Sequence, residues 1–273
     1  MTHSGADIAQ LLSAHGLHPN RALGQNFVAD PNTVRRIARL SGVVAGSPVL
    51  EIGAGLGSLT LALAETGAAV VAVEADRHLI PVLRAVVEPV GVEVVQGDAL
   101  TLDLATLLAE RHAGPWHLVA NLPYNVAAPM VLRTLVEVPA VAHLLVMVQR
   151  EVGERMAAGE GEDAYGSVSV RIAYFARAEV IGRVPASVFI PRPRVESVLV
   201  RLERRPAPAV DPALVSYERL ETVVRAGFAH RRKMLRRSLA GVVEPAAFER
   251  AGVRPDARAE ELGVAEWGRL AAT

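Results

Sequence analysis

Cysteine is absent from all 273 residues. The chain therefore forms no disulfide and offers no thiolate to a metal ion, which fits a reducing compartment. No apolar run approaches the roughly 18 residues of a membrane-spanning helix. Residues 1–20 also lack the charged start and apolar core of a secretory signal. We expect a cytoplasmic protein with no membrane partner and no metal site.

Lysine is almost absent as well: Lys233 is the only one, and arginine supplies the other 28 of the 29 basic residues. The charges sum to zero, but they are unevenly spread. Residues 43–120 hold nine acidic and three basic side chains, whereas residues 183–237 hold five acidic and thirteen basic ones. A basic carboxyl-terminal half indicates a polyanionic partner. Ordinary surface arginine in an arginine-rich composition is the alternative.

Strand-like and helix-like segments alternate through the first two thirds of the chain. The composition, 51% hydrophobic and 21% charged, allows a sizeable core. The alternation predicts a mostly parallel, Rossmann-like α/β sheet with helices on both faces. The predicted strands are 49–52, 69–73, 92–95, 116–120, 143–148, 179–184 and 195–202, of which the last two are expected to form a hairpin.

The proline-containing segment 206–212 predicts a linker between two domains. Before it we expect a large catalytic domain, residues 1–205, with an amino-terminal arm over residues 1–30. After it the periodicity is helical, which predicts a small all-helical domain over residues 206–273.

A glycine-rich turn, Gly53-Ala54-Gly55-Leu56-Gly57, follows the first predicted strand and precedes a helix. Such a turn can cradle a nucleotide, although it also occurs where a helix simply packs close to a strand. Glu74 ends the next strand, 21 positions after Gly53, where a ribose is gripped through its hydroxyls. Asp98 lies just beyond the carboxyl end of the third strand and could accept a hydrogen bond from an adenine amino group. Its alternative role is to cap a helix predicted over residues 101–111.

The fourth strand ends in Asn121-Leu122-Pro123-Tyr124. The Asn121 side-chain oxygen and the Leu122 carbonyl could hold the two hydrogens of an exocyclic amine and keep the lone pair of its nitrogen localised. Tyr124 could stack on the base. A plain turn with tyrosine in the core is the alternative.

These motifs together resemble the small-subunit ribosomal RNA adenine dimethyltransferase family over about residues 21–270. The resemblance depends on seven stretches: 23–27 (LGQNF), 51–57 (EIGAGLG), Glu74, 97–99 (GDA), 121–125 (NLPYN), 189–193 (FIPRP) and 228–233 (FAHRRK). It implies an S-adenosylmethionine-dependent enzyme that dimethylates the N6 amine of two adjacent adenosines. These lie in a hairpin loop near the 3′ end of the small-subunit (16S) RNA. Ala54 stands where the family usually has proline.

The resemblance also implies roles for individual residues. Cofactor contacts are implied at Asn26, Val28, Gly53, Gly55, Glu74, Asp98 and Asn121. Target-adenine contacts are implied at Asn121, Leu122, Tyr124 and Phe189, with the base between the two aromatic rings. The implied partner is small-subunit RNA in an immature 30S subunit, bound by a monomer.

A cationic stretch in the helical domain suits contacts with RNA phosphates. Its basic residues are Arg225, Arg231, Arg232, Lys233, Arg236 and Arg237. We expect positions 232, 233, 236 and 237 to share one helix face. A solvated helix face is the alternative.

Three other functions compete with this assignment. A related enzyme that methylates large-subunit (23S) RNA and confers macrolide resistance would share the 25–27 (QNF) and 121–124 (NLPY) motifs. A non-catalytic RNA-binding assembly factor would need only the basic surface. A DNA adenine methyltransferase is less well supported, because such enzymes tend to have a larger base-reading domain than residues 213–273.

Overall fold

The computed structural model describes residues 2–20, 23–124, 126–230 and 232–273. It divides into two compact units. The first consists of Met1–Gly153 and Val180–Glu203, and the second of Glu154–Glu179 and Arg204–Thr273. The sequence placed residues 154–179 in the first domain. They belong to the second unit because Val170 and Tyr174, on one face of a helix there, are buried in its helical core.

The described chain contains nine strands, twelve α-helices and three short 3-10 helices. The strands are β1 (Phe27–Val28), β2 (Pro48–Ile52), β3 (Ala69–Glu74), β4 (Glu93–Gln96), β5 (Trp116–Asn121), β6 (Val141–Gln149), β7 (Ala176–Val184), β8 (Phe189–Ile190) and β9 (Ser197–Arg204). The helices are α1 (Gly5–Ala14), α2 (Pro31–Leu40), α3 (Ser58–Ala64), α4 (Ile80–Val87), α5 (Leu104–Ala109), α6 (Ala127–Glu137), α7 (Arg150–Ala157), α8 (Ser167–Phe175), α9 (Tyr217–Phe228), α10 (Leu235–Ser238), α11 (Pro245–Ala251) and α12 (Val264–Ala271).

Seven strands form one sheet in the order β4-β3-β2-β5-β6-β9-β7. The pairs from β4 to β6 are parallel, and β9 runs antiparallel to β6. The predicted Rossmann-like sheet is therefore confirmed, and so is the pairing of the strands predicted at 179–184 and 195–202. The strand order reverses between β2 and β5, and the crevice at such a point is where open α/β sheets bind ligands.

The central strands are continuous apolar runs. Every residue of β2 is buried, which is typical of a parallel strand covered by helices on both faces. The main hydrophobic core of the first unit joins these strands to helices α2, α3 and α4. The carboxyl ends of β2, β3 and β5 are thus held on a rigid platform.

A second, two-stranded sheet pairs β1 with β8 in antiparallel register, Phe27 opposite Ile190 and Val28 opposite Phe189. The sequence did not predict this pairing, because two residues are too few to show an alternating pattern. Helix α1 precedes it, capped by Ser4 and Asp7. Its buried residues share a small apolar cluster with Phe27.

The second unit is helical and has its own core, in which Trp267 is fully buried. The predicted linker is part of this unit. The Ala209 N–H donates to the Tyr174 carbonyl, and Val210 is buried against Gly268. The proline content predicts a linker, but the segment contributes the apolar side chain of Val210 to this core. None of the helices in the described chain is both long and apolar enough to span a membrane.

Candidate active site

A cavity of about 200 Å³ lies in the first unit, where strands β2, β3 and β5 end. Nine of the ten residues that the sequence assigns to cofactor or target base line this cavity. They are Asn26, Val28, Gly53, Gly55, Glu74, Asp98, Asn121, Leu122 and Tyr124. The residues from Gly53 to Tyr124 are brought together because parallel strands end at the same edge of the sheet, and Asn26 and Val28 join them from β1 and the residue before it.

The glycine-rich turn packs closely against its surroundings. Gly53 and Gly55 have φ angles of 76° and 59°, a region that glycine enters without steric cost. A Cβ on Gly55 would lie 3.1 Å from the ring of Phe27. The turn therefore needs glycine both for its backbone and for the ring that lies over it.

Glu74, at the end of β3, holds this turn in place. Its Oε2 accepts the Gly55 N–H at 2.7 Å, and its Oε1 accepts the Asp76 N–H at 2.8 Å. Burial raises the pKa of Glu74, and the two N–H groups act in the opposite direction. Each carboxylate oxygen has a second lone pair, so this buried acceptor can also receive the hydroxyls of a ribose.

Asn121, the last residue of β5, has a fixed amide group. Its Nδ2 donates to the Asn26 carbonyl at 3.0 Å, which leaves its Oδ1 as an acceptor. No described residue donates to the neighbouring Leu122 carbonyl oxygen. The turn therefore presents two acceptors on adjacent residues at the cavity wall.

Tyr124 is anchored through its hydroxyl. The hydroxyl lies 3.1 Å from Ser197 Oγ, and burial raises the pKa of the phenol, which stays neutral. Because its hydroxyl is held and its ring lines the cavity, the ring has one preferred orientation there.

Phe189 is the exception among the predicted residues. It is 3% exposed, lies opposite Val28 in the β1–β8 pair and belongs to the main core of the first unit. It does not line the cavity, and a target base held between Tyr124 and Phe189 stays a prediction. Its apolar surface is already buried by the core.

The model of the ribosomal RNA adenine dimethylase family matches residues 16–273. The chain belongs to this family. It is 47% identical to the ribosomal RNA small subunit methyltransferase A of Leifsonia xyli, covering 98% of this chain and 96% of that protein. It is 45% identical to the protein of the same name from Thermobifida fusca, with 97% and 94% covered.

Two solved structures resemble it over most of their length. The 23S rRNA methyltransferase ErmE has 28% identity and a TM-score of 0.69, covering 90% of this chain and 98% of that one. A dimethyladenosine transferase from Plasmodium falciparum has a TM-score of 0.72 at 22% identity, with 88% and 94% covered, and supports the fold alone.

Asp98 lies at the cavity and does not cap the helix that follows. Its Oδ1 accepts the Leu100 N–H at 2.9 Å, within a local turn. Helix α5 begins at Leu104, later than predicted, and its cap is Asp103, which accepts the Thr106 N–H at 3.0 Å. Asp98 therefore remains available to a ligand.

Glu51 is a cavity residue that the sequence analysis did not assign. It is 2% exposed, and its Oε2 has no hydrogen-bond partner among the described residues. Burial raises the pKa of this carboxyl to about 8. Ser58 also lines the cavity with an unpartnered buried hydroxyl. The sequence does contain a signal for Glu51, which is a charged residue inside the apolar strand β2. Carboxyl groups are rarely buried without a partner, so its position indicates a contact with a ligand.

Gln25 is a second residue without an assigned role. Its Nε2 donates to Asp76 Oδ2 at 2.8 Å, and its Oε1 accepts the Asn20 N–H at 2.8 Å. These bonds fasten the segment before β1 to the loop after Glu74. The backbone carbonyl that orients Asn121 belongs to the next residue of this segment.

The cavity fits S-adenosylmethionine, the methyl donor of this family. A nucleoside needs acceptors for its ribose hydroxyls and its adenine amine, and Glu74 and Asp98 would supply them. The amino acid part carries an ammonium group, which the unpartnered Oε2 of Glu51 suits. The tight contact of Gly55 under Phe27 completes a cradle for a flat, polar ligand.

The cationic stretch is arranged differently from the prediction. Helix α9 ends at Phe228, and α10 spans only Leu235–Ser238, so positions 232–237 do not share one helix. The five described basic residues are exposed: Arg225, Arg232, Lys233, Arg236 and Arg237. Arg225 lies 3.6 Å from Glu221 and is partly neutralised. Arg231 lies outside the described residues.

Proposed function

We propose that this protein methylates the N6 amine of two adjacent adenosines, twice each, in a hairpin loop near the 3′ end of 16S ribosomal RNA. The observation that supports this proposal best is the arrangement at the end of β5. The Asn26 carbonyl orients the amide of Asn121, and the Leu122 carbonyl offers a second acceptor. Both lie in the cavity that also contains Gly53, Glu74 and Asp98.

S-Adenosylmethionine, when bound, supplies an electrophilic methyl group. The protein then has to present an amine whose lone pair is normally delocalised into the adenine ring. Asn121 Oδ1 and the Leu122 oxygen accept the two amine hydrogens and favour a pyramidal nitrogen. They also stabilise the positive charge that develops on nitrogen. The nitrogen then loses one proton to solvent, and no strong base is required beforehand.

The target base must leave its stack to reach this cavity. Tyr124 places an aromatic ring at the cavity wall, and the hydrogen bond between its hydroxyl and Ser197 keeps the ring in place. A ring held in this way can stack on any base, so the preference for a base with an exocyclic amine depends on the two acceptors that receive that amine.

The partner we propose is the RNA of an immature 30S subunit in the cytoplasm, bound by a monomer. Arg232, Lys233, Arg236 and Arg237 would contact RNA phosphates, together with Arg225. Such contacts add affinity and carry little sequence information. The relatives at 45–47% identity are named as small-subunit methyltransferases, whereas the 23S enzyme ErmE is 28% identical.

The test is transfer of labelled methyl groups to undermethylated small subunits, with large subunits as the parallel substrate. We expect incorporation into small subunits only, recovered as dimethyladenosine after digestion of the RNA. Incorporation into large subunits would instead support the macrolide-resistance type of enzyme. Tight binding to small subunits without incorporation would leave only a non-catalytic assembly factor.

A further inference from the structure

The segment Pro191–Glu196 joins β8 to β9 and carries two exposed arginines, Arg192 and Arg194. Neither forms an ion pair with any residue that the structure describes. The acidic residue of the segment, Glu196, has Arg150 at 3.7 Å. This segment, the basic loop, therefore presents two positive charges that nothing in the described chain neutralises.

The basic loop is anchored at both ends to elements that form the cavity. At its start, Ile190 pairs with Phe27 in the antiparallel β8–β1 ladder. Residues after Ile190 therefore run alongside the residues before Phe27, which line the cavity. At its end, Ser197 is bonded to the cavity residue Tyr124. The loop consequently borders the mouth of the cavity.

The same border also exposes apolar side chains. Leu23, which lines the cavity, is 40% exposed, and Val195 in the basic loop is 44% exposed. An inorganic anion would neutralise the arginines and leave these side chains in water. A nucleic acid strand offers both phosphates and flat, weakly polar base faces, and it matches the mixed character of this surface.

The two prolines of the basic loop also restrict its backbone conformation before any ligand binds. Pro191 and Pro193 flank Arg192 and fix the backbone φ angle at their own positions. A segment that is already restricted loses less conformational entropy when it binds a ligand.

We propose that the basic loop binds the RNA strand that carries the target adenosine, with Arg192 and Arg194 contacting the phosphates next to that nucleotide. This inference rests on the proposed function, because it takes an adenine to enter the cavity beside the loop. Arginine suits the role, since its planar guanidinium can form two parallel hydrogen bonds to a phosphate. Such contacts position the strand and do not read its sequence.

The test compares the double variant Arg192→Gln/Arg194→Gln with a matched control, Arg39→Gln/Arg183→Gln. The control arginines are exposed, belong to the same unit and do not line the cavity. Binding of a fluorescent single-stranded RNA with two adjacent adenosines is measured over a range of salt concentrations. Cofactor affinity, melting temperature and the KM for undermethylated small subunits are measured for both variants.

We expect the loop variant to bind the RNA about tenfold more weakly. The slope of log affinity against log salt should fall by about 1.4, or about 0.7 for each lost phosphate contact. Cofactor affinity and melting temperature should not change, and the control should bind RNA within about twofold of wild type. Because RNA binding needs no methyl transfer, this readout is separate from the test of the proposed function.

Equal losses in both variants, or an unchanged salt slope, would overturn the assignment. A raised KM for small subunits with unchanged affinity for the RNA would also overturn it, and would point to a protein contact. Failure of the proposed function is recognised differently, since wild-type protein would then transfer no methyl group to small subunits.

Discussion

The cavity and the cationic stretch of residues 225–237 differ in how they depend on the fold. The cavity draws its polar atoms from the ends of separate strands, and backbone groups fix Glu74 and Asn121 at 2.7–3.0 Å. The described basic residues of the cationic stretch are exposed side chains at the end of α9, on the short helix α10 and just before α10. A function based on directed hydrogen bonds needs a rigid support, whereas one based on charge does not. Single substitutions should therefore affect the two regions very differently.

The largest effect is expected at Asn121. Asn121→Ala removes an acceptor for the target amine and should lower kcat by roughly 10²- to 10³-fold, as loss of one group that stabilises developing charge does. RNA affinity should stay close to wild type. Single-turnover methyl transfer and RNA binding, measured on the same preparation, check this expectation.

Asn121→Asp is the matched variant. It keeps an acceptor oxygen but loses the Nδ2 donor to the Asn26 carbonyl. The side chain should then be held in a different orientation, so we expect the variant to bind the cofactor but to transfer methyl groups more slowly than wild type. Near-normal transfer by the alanine variant would contradict the role of Asn121.

The second effect concerns pH and Glu51, whose pKa burial raises from 4.5 to about 8. The folded state therefore holds this proton more tightly than the unfolded chain does. The resulting stabilisation is complete below about pH 4.5 and is lost as the pH rises through about 8. Glu51→Gln lacks this dependence, so its free energy of unfolding relative to wild type should rise by on the order of 4 kcal/mol between pH 5 and pH 9.

Denaturant titration at several pH values, without cofactor, measures this difference. Other titrating groups are common to both proteins and cancel. Parallel stability curves for the two proteins would show that Glu51 is not the buried acid described here.

The third prediction compares the cost of adding a Cβ to one glycine in each unit, Gly55 in the first and Gly252 in the second. Gly55 and Gly252 have similar φ angles, 59° and 65°, but only Gly55 has a neighbour where a Cβ would go. Gly252→Ala should cost about 1 kcal/mol of stability from backbone strain alone. Gly55→Ala should cost about 1–3 kcal/mol more, because the Phe27 ring must move.

Thermal unfolding of both variants gives these costs, and isothermal titration with S-adenosylmethionine adds a second readout. Only Gly55→Ala should weaken cofactor binding. Equal behaviour of the two variants would mean that the contact of the turn with Phe27 has no structural importance.

The smallest effect is expected in the cationic stretch. Arg232→Gln/Lys233→Gln should weaken binding to small subunits by about tenfold and reduce its salt dependence, while kcat at saturating substrate stays unchanged. The control is Arg250→Gln/Arg254→Gln, two arginines of the same unit that have carboxylates at 3.9 and 2.7 Å. Filter binding of small subunits at several salt concentrations measures the affinity and the salt dependence of the two double variants. Equal losses would indicate only a general charge effect.

The sequence was sufficient to predict the cavity because its residues occupy regular positions. Glu74 and Asn121 end largely buried strands, and Asp98 lies two residues after β4, so the parallel sheet places them at one edge. Glycine spacing predicted the turn for a similar reason. These inferences need only the period of a strand and the edge at which it ends.

Other features depend on tertiary contacts that local pattern does not encode. Phe189 has the same apolar character whether it stacks on a ligand or fills a core, and its burial in the core opposite Val28 is a tertiary contact that the local pattern does not show. The sequence predicts that residues 154–179 belong to the first domain. In the structure, Tyr174 is buried in the helical core of the second unit. The cationic stretch looked like one helix because its charges recur at helical spacing, although α9 ends at Phe228.

The β1–β8 pair has a consequence for synthesis of the chain. Strand β1 leaves the ribosome first, and its partner is made about 160 residues later. The carbonyl that orients Asn121 belongs to Asn26, directly before β1. A nascent chain that ends before Phe189 can contain every strand of the parallel core and still lack the partner that holds this segment in place. The Asn26 carbonyl is thus translated early, but it is held in the position from which it orients Asn121 only after β8 has been made.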